Sequence, residues 1–393
     1  MSDHGVALGV AAFAALLTVA VLVSIAAERV RVPAAVAMVA VGTAAGSLLH
    51  LRPPFAFGPA VLFVFLAPLV FEAAWNVDLR ALRERAGRIA LLAFPGTLLS
   101  AFAIAGALAA TRALPFGAAL LFGAMVSATD PIAVVAVFRR AAVPVGLRTL
   151  VECESLANDG VAVVLYGIGL SLAAGAHLDA LAAIAFGVVQ VAGAIGIGAA
   201  LAYAGARVLR LTSAAEYEVT ATVALAYAAY LAADALHLSG IFATAAAGIT
   251  LRALLDRDEA TVSNVRDVDR FWNAGAYIAN ALVFIATGLA IDAGRALHEP
   301  LLIGVALAVT LAARVPLAFA AGPGRAARVT VFLAGMRGAL PLALALSLPE
   351  GPAHRAEIID AVFATVLVTL VVQGATLEPV VRRLYRRSEP AGA

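Results

Sequence analysis

Apolar runs of about twenty residues recur along the whole chain, and this recurrence limits the possible folds more than any other feature. Each run is long enough to cross the hydrocarbon core of a bilayer as one helix. Hydrophobic residues make up 63% of the chain and charged residues only 13%, about half the charged share of a soluble domain. Because lipid offers no partner to backbone polar groups, we predict an all-α polytopic membrane protein.

The runs predict about thirteen transmembrane helices, which can be arranged as two six-helix repeats joined by a linking helix. Corresponding helices would be separated by seven crossings, so the two repeats would be inverted in the membrane, as in many transporters. The predicted spans are roughly 6–27, 32–49, 59–76, 89–110, 116–138, 152–174, 179–208, 217–236, 239–255, 271–291, 300–320, 328–348 and 358–377.

The distribution of arginine supports this set of spans and gives it an orientation. The chain has no lysine, and most of its arginines follow odd-numbered spans or lie in the C-terminal tail. The positive-inside rule therefore places the N-terminus outside and the C-terminus in the cytoplasm. We expect a prokaryotic inner or plasma membrane protein without a soluble regulatory domain, whose tail "RRLYRR" contacts anionic lipid. The arginines on the opposite side are Arg52, Arg112, Arg295 and Arg355.

Several charged residues lie inside predicted spans, where a charge is costly and indicates function by default. Asp130, Asp159 and Arg337 each lie seven to nine residues from the cytoplasmic end of a span. At about 1.5 Å per residue they share one level, roughly 10–14 Å deep. Glu72 is shallower and is predicted to line a cytoplasmic funnel. Arg314 lies near the end of its span, and we expect it to snorkel to the interface.

The sixth predicted span carries two polar faces. Ser155 and Asp159 are four residues apart and lie on one face of a helix. They offer a hydroxyl and a carboxylate, the oxygen ligands that a hard alkali cation prefers. Glu154 and Asn158 have the same spacing on the adjoining face, and we expect Glu154 to form a bidentate pair with Arg337.

Two spans are predicted to be broken. "SATDPIAVV" places Pro131 in the middle of span 5, where proline removes a backbone hydrogen bond and clashes one turn back. "GMRGALPLA" places Gly335 and Gly338 beside Arg337 in span 12. Unwound backbone at this depth is tolerated where it lines protein or a water-filled cavity, and its free carbonyls are potential cation ligands.

The residues alone leave other readings open. The Thr-Asp-Pro sequence at Pro131 can be a simple kink, Glu72 can be a helix-end charge, and Glu154 with Arg337 can be a purely structural pair. A cation/proton antiporter then stands beside two alternatives, a channel-like or structural membrane protein with a buried charge network and a cation-coupled symporter. Among antiporters, exchange of K⁺ remains an alternative to exchange of Na⁺ or Li⁺.

Four motifs in order, "FEAAWNVDL", "SATDPIAVVAVF", "ESLANDGVAVVLY" and "GMRGALPLALALSLP", resemble the NhaP-like electroneutral sodium/proton antiporters of the cation/proton antiporter superfamily. The resemblance covers essentially the whole chain. It implies a transporter rather than an enzyme, with no cofactor and no nucleic-acid partner. It also implies an elevator-type homodimer with a core domain at about 89–174 and 300–377 and a dimerisation domain at about 6–76 and 179–291.

The resemblance further implies the roles of individual residues. A cation would be held by Asp159, Ser155, the Thr129 backbone and Glu72, with Asp130 close by or acting through water. Three residues would brace this site, namely Asn158, Glu154 and Arg337. Electrogenic relatives carry a second aspartate at the position of Asn158 together with a membrane lysine. This chain has an amide there and no lysine, so we expect electroneutral exchange of one cation for one proton that compete for Asp159.

Overall fold

A computed structural model describes residues 3–30, 32–51, 59–141, 143–175, 179–257, 262–290, 300–351 and 353–386. Within these ranges every regular element is a helix, so the predicted fold class is confirmed. Of the arginines used to orient the spans, Arg31, Arg52, Arg295 and Arg387 lie outside the described residues.

The helices follow the predicted spans in order, and two of the spans are divided. We number the helices in chain order, with a π-helical turn at Leu92–Gly96 joining α4 to α5. The bounds are α1 Asp3–Val30, α2 Ala34–Leu49, α3 Pro59–Trp75, α4 Leu79–Leu91, α5 Thr97–Ala110, α6 Phe116–Ser127, α7 Pro131–Arg140, α8 Val145–Ala173, α9 Ala180–Leu209, α10 Ala215–Ala235, α11 Gly240–Leu255, α12 Val265–Ala290, α13 Pro300–Ala320, α14 Arg325–Leu333, α15 Ala339–Leu346 and α16 Arg355–Arg386.

The helices are those of a membrane protein, although the number of crossings stays a prediction. Among the described residues, seven helical segments are long and apolar enough to cross a bilayer by length and composition. The shorter apolar helices include α2, α6 and α11. The two breaks predicted in spans 5 and 12 are confirmed, between α6 and α7 and between α14 and α15. They lie seven predicted spans apart, as two inverted repeats require.

The helices pack in two groups. In the first group α9 packs on α10 and α11, α11 packs on α3, and α12 packs on α2 and α3. In the second group α6 packs on α5, α8 and α16, while α13 packs on α5 and α14. Contacts between the groups are less extensive and run mainly from α12 to α15, from α2 to α16, and from α8 to α3 and α11. Both broken helices belong to the second group.

Candidate functional site

The two broken helices cross at their unwound segments. Helix α6 ends at Ser127 and α7 begins at Pro131, leaving residues 128–130 extended. Residues 335–338 separate α14 from α15 in the same way. The segments are joined where the backbone N–H of Asp130 donates to the carbonyl of Met336 at 2.9 Å. Four helix ends therefore meet at one place, each with backbone groups and a partial charge that need partners.

Two glycines allow this close crossing. A Cβ at Gly338 would overlap the Cβ of Asp130, so only glycine lets the two extended segments touch. A Cβ at Gly335 would lie 2.8 Å from Nε of Arg314, so this glycine leaves room for the Arg314 side chain. The two glycines of "GMRGALP" thus allow close packing of side chains and backbone, in addition to the flexible backbone that breaks the helix.

Helix α8 places its polar residues beside the extended segment that precedes α7. Ser155 Oγ donates to the carbonyl of Thr129 at 2.6 Å and lies 2.8 Å from Thr129 Oγ1. Asn158 Nδ2 donates to Thr129 Oγ1 at 2.8 Å, and the Thr129 N–H donates to Asn158 Oδ1 at 3.3 Å. Thr129, Ser155 and Asn158 are all buried. The structure therefore brings together these three sequence-predicted residues in one hydrogen-bonded cluster.

Asp159 lies at the open edge of this cluster. It is half-buried, unlike Glu154, Ser155 and Asn158, which are buried. It lines a pocket of about 60 Å³ together with Thr129, Asp130, Asn280 and Gly338. Its Oδ1 atom is buried and accepts no hydrogen bond from any residue that the structure describes. A carboxylate oxygen that has no hydrogen-bond partner among the described residues is the kind of group that binds a proton or a hard cation.

Glu154 is paired with Arg314, so the predicted pairing with Arg337 is wrong. Arg314 Nη1 donates to Glu154 Oε1 at 2.8 Å and Nη2 donates to Oε2 at 3.1 Å, which makes a bidentate pair. Both side chains are 3% exposed. Arg314 also donates from Nε to the carbonyl of Val331, so it does not snorkel as expected. The error arises because the position of a residue along a helix gives its depth but not the neighbour that its side chain faces.

Arg337 caps a broken helix instead. Its Nη1 donates to the carbonyl of Ser127 at 3.2 Å and to the carbonyl of Ala128 at 3.3 Å. These carbonyls are at the C-terminal end of α6, where the helix dipole favours a positive charge. Arg337 thus remains a bracing residue, but it braces the α6 end rather than Glu154.

Glu72 lies in a second, larger cavity, apart from the Asp159 pocket. This cavity has a volume of about 590 Å³ and is lined by residues of both helix groups, including Glu72, Asp130 and Asn280. Asn76 Nδ2 donates to Glu72 Oε1 at 2.7 Å. The outer wall carries Glu28, Arg140, Glu378 and Arg382, near helix ends that the arginine distribution assigns to the cytoplasm. The cavity corresponds to the predicted funnel, but it does not bring Glu72 to the lining of the pocket.

Sequence reasoning missed two residues of this region. The distance of Arg314 from the end of its span predicts its depth and not its partner. The glycine at position 335 is consistent with a large neighbouring side chain, which the structure identifies as Arg314. The sequence does not single out Asn280, because this amide has no charged residue one turn away in its predicted span, unlike Asn158 beside Glu154. Asn280 stands in the apolar stretch "AYIANALVF", where a single neutral amide has little effect on hydropathy.

Comparison with known proteins identifies the family of this site. Residues 14–383 match the family described as "Sodium/hydrogen exchanger, transmembrane". The Na(+)/H(+) antiporter NhaH of Halobacillus aidingensis is 32% identical over 394 residues, which cover 94% of this chain and 96% of the relative. The Na(+)/H(+) antiporter NhaP of Pseudomonas aeruginosa is 35% identical over 353 residues, covering 84% of this chain and 82% of the relative.

A solved structure has the same fold. The sodium proton antiporter MjNhaP1 from Methanocaldococcus jannaschii superposes with a TM-score of 0.81 at 20% identity, over 97% of this chain and 99% of that chain. The family match covers most of the chain, and the relatives match over nearly their whole length. The chain therefore belongs to the transmembrane sodium/hydrogen exchanger family.

Proposed function

We propose that the protein is a secondary active transporter that exchanges Na⁺, or Li⁺, for H⁺ across a membrane. The observation that carries this proposal is Asp159, whose buried Oδ1 has no hydrogen-bond partner among the described residues and which lines a pocket with Thr129 and Asp130. The curated relatives named as Na⁺/H⁺ antiporters support the choice of ions. The membrane orientation that the arginine distribution predicts places the large cavity on the cytoplasmic side.

Competition for Asp159 is sufficient to couple the two fluxes. A bound proton or a bound cation neutralises the carboxylate, and the two cannot be bound to the same oxygens together. An empty, charged carboxylate is costly to move through a low-dielectric barrier. The carrier therefore crosses with one ion or the other, which prevents a leak and enforces exchange.

Ligands for the cation come from the cluster around the break in α6 and α7. In the structure the Ser155 hydroxyl donates a hydrogen bond to the Thr129 carbonyl. A bound cation would replace this hydrogen bond with one contact to each of the two oxygens. Asp130 lines the same pocket and can act directly or through water. Glu72 lines only the large cavity, and we assign it to the approach path of the cation and not to its innermost site.

The partners of Glu154 and Asn158 support the proposal of electroneutral exchange. The Arg314 fork engages both oxygens of Glu154, and Asn158 is an amide that donates to Glu154 and Thr129. Neither residue is available to carry a second proton through the cycle. Asp159 is then the single exchanging carboxylate, and one cation moves for one proton.

The two helix groups support an elevator mechanism in a homodimer. The breaks, Asp159 and the Glu154–Arg314 pair belong to the second group, which matches the proposed core domain of about 89–174 and 300–377. Both cavities lie between this group and helices α3 and α12 of the other, so a shift of the core would open or close them. Exposed apolar residues on the other group, such as Phe13 and Leu22 on α1 and Ile184 on α9, offer a surface for lipid or for a second copy.

The test is transport in proteoliposomes that contain the purified protein. An inward Na⁺ gradient should drive protons out, recorded by a pH-sensitive dye in the lumen, and Li⁺ and K⁺ should be compared with choline. Flux with K⁺ but not Na⁺ would replace the proposal with K⁺/H⁺ exchange. A cation conductance without coupled proton movement would indicate a channel, and no flux with any cation would leave a structural charge network.

A further inference from the structure

Asn280 lines both the large Glu72 cavity and the Asp159 pocket. It is 8% exposed, and among the described residues that line either cavity only Asn280 and Asp130 line both. Asp130 belongs to the broken helices, whereas Asn280 comes from α12 in the other helix group. The residues shared by the large cavity and the Asp159 pocket are therefore one carboxylate from the broken helices and one amide from the other helix group.

The hydrogen bonding of Asn280 leaves an oxygen for a ligand. Its Nδ2 donates to the carbonyl of Ala276, one turn earlier in α12, at 3.0 Å. This bond fixes the plane of the amide and uses a donor, so Oδ1 remains the acceptor of the group. An amide oxygen is a hard, neutral ligand of the type that binds alkali and alkaline-earth cations.

The sizes of the cavities show why a ligand is needed at this point. The outer cavity measures about 590 Å³ and the inner pocket about 60 Å³, which is room for only a few water molecules. A cation that moves inward must lose most of its hydration shell between them. Fixed oxygens have to replace the lost water, and they must bind weakly enough to let the ion go on.

We infer that Asn280 Oδ1 is a transient cation ligand that receives the partly dehydrated ion between the Glu72 cavity and Asp159. Because the group is neutral, it offsets dehydration without competing with Asp159 for protons. It therefore helps to set the apparent affinity for the cation and the preference among Li⁺, Na⁺ and K⁺. This inference rests on the proposed function, since it assigns a further residue to the same transport path.

The same helix supplies a matched control. Asn273 lies two turns before Asn280 in α12 and also donates from Nδ2 to the carbonyl four residues earlier, that of Asp269, at 2.7 Å. It lines the large cavity but not the Asp159 pocket. Asn273→Ala and Asn280→Ala thus remove the same kind of side chain and the same local hydrogen bond, and only the second removes an oxygen from the passage.

The experiment compares the two variants with the wild type in proteoliposomes and in detergent. Asn280→Ala should raise the KM for Na⁺ about tenfold, the effect of losing one contact to a charged group, with a smaller change in maximal rate. It should also change the ratio of KM values among Li⁺, Na⁺ and K⁺, while Asn273→Ala should change neither. Asn280→Asp keeps an oxygen in place and should restore a KM at or below that of the wild type.

A binding measurement makes the result independent of transport rate. Without Na⁺, Asn280→Ala should melt somewhat lower than Asn273→Ala, because Asn280 is buried and Asn273 is exposed, so each variant is compared with its own Na⁺-free value. The Na⁺-induced rise in melting temperature should need more Na⁺ only for Asn280→Ala. If Asn280→Ala and Asn273→Ala have equal KM values and equal cation ratios, the inference is wrong while the proposed function stands. If the wild type itself shows neither Na⁺-driven proton flux nor stabilisation by Na⁺, both are wrong.

Discussion

Glu154 and Asp159 are carboxylates of helix α8 that lie little more than one turn apart, and their hydrogen-bond partners differ. Glu154 is 2% exposed, and it accepts two hydrogen bonds from Arg314 and one from Asn158. Asp159 is half-buried and lines a pocket, and its Oδ1 has no hydrogen-bond partner in the described part of the chain. A permanent partner neutralises the first carboxylate, whereas the second can be neutralised only by something that arrives and leaves. The comparison separates a carboxylate in a permanent ion pair from the carboxylate that we propose to exchange the cation and the proton.

Replacing Asp159 should have the largest effect on function and a small effect on folding. Asp159→Asn keeps the shape of the side chain but removes the charge for which the cation and the proton compete. We expect Na⁺-driven proton flux in proteoliposomes to fall to the level of empty liposomes. The melting temperature in detergent without Na⁺ should stay at or above that of the wild type, because a buried charge is removed. Wild-type flux in this variant would show that Asp159 is not the exchanging group.

Breaking the Glu154 pair should have the opposite pattern, with its largest effect on stability. Glu154→Ala or Arg314→Ala strands a buried charge, which costs about 3–5 kcal/mol when one partner of a fully buried pair is removed. Both single variants should therefore melt well below the wild type, and the double variant should melt higher than the sum of the two losses predicts. If both single variants melt at the wild-type temperature, the two faces of α8 do not differ as described.

Arg337 provides a graded test of the same comparison. Its side chain contacts two backbone carbonyls of the α6 end and not a carboxylate. Arg337→Gln should cost about 1–3 kcal/mol, the range for a buried group that loses a hydrogen-bond partner. The loss should be smaller than that of Arg314→Ala, and it should add independently to the loss in Glu154→Ala. A larger loss in thermal melts than Arg314→Ala, with strong coupling to Glu154, would restore the pairing that the sequence predicts.

Much of the fold follows from the sequence, because lipid leaves so few structures available to an apolar run. Pro131 and the glycines near Arg337 predict the two breaks, because proline and glycine change the backbone conformation at or near their own positions. Depth along a helix places Asp130, Asp159 and Arg337 at one level. The depth of a residue does not specify how its helix is rotated about the helix axis, or which residue of another helix its side chain contacts. For this reason the sequence predicts Arg337 instead of Arg314 as the partner of Glu154. It also predicts Glu72 at a pocket that Glu72 does not line.

Neutral residues set a second limit on prediction from the sequence. A search for costly charges finds Asp159 but passes over Asn280, because an amide in an apolar helix is inexpensive and frequent enough to be structural. The lining of two cavities by Asn280 is the observation from which we infer its role in cation transport. The contribution of such a residue to a cavity is recognised only in the structure, where helices from different parts of the chain pack together.

The smallest expected effect is the response of exchange to membrane potential, which should be zero. If only Asp159 exchanges its charge, one cation crosses for each proton and no net charge moves in the cycle. A potential of about 100 mV acts on each net charge with about 2.3 kcal/mol, so even a partial imbalance would change the rate visibly. The measurement is Na⁺-driven proton flux in proteoliposomes with and without a K⁺–valinomycin potential of either sign.

The outcome bears directly on the two carboxylates of α8. Equal rates at both potentials would keep Glu154 as a fixed partner of Arg314 throughout the cycle. A clear acceleration by potential would require a second proton carrier besides Asp159. Glu154 would then have to leave Arg314 during transport, or Asp130 or Glu72 would have to take part. Repeating the measurement with Asp130→Asn and Glu72→Gln separates these cases, because the variant that loses the second carrier loses the response to potential.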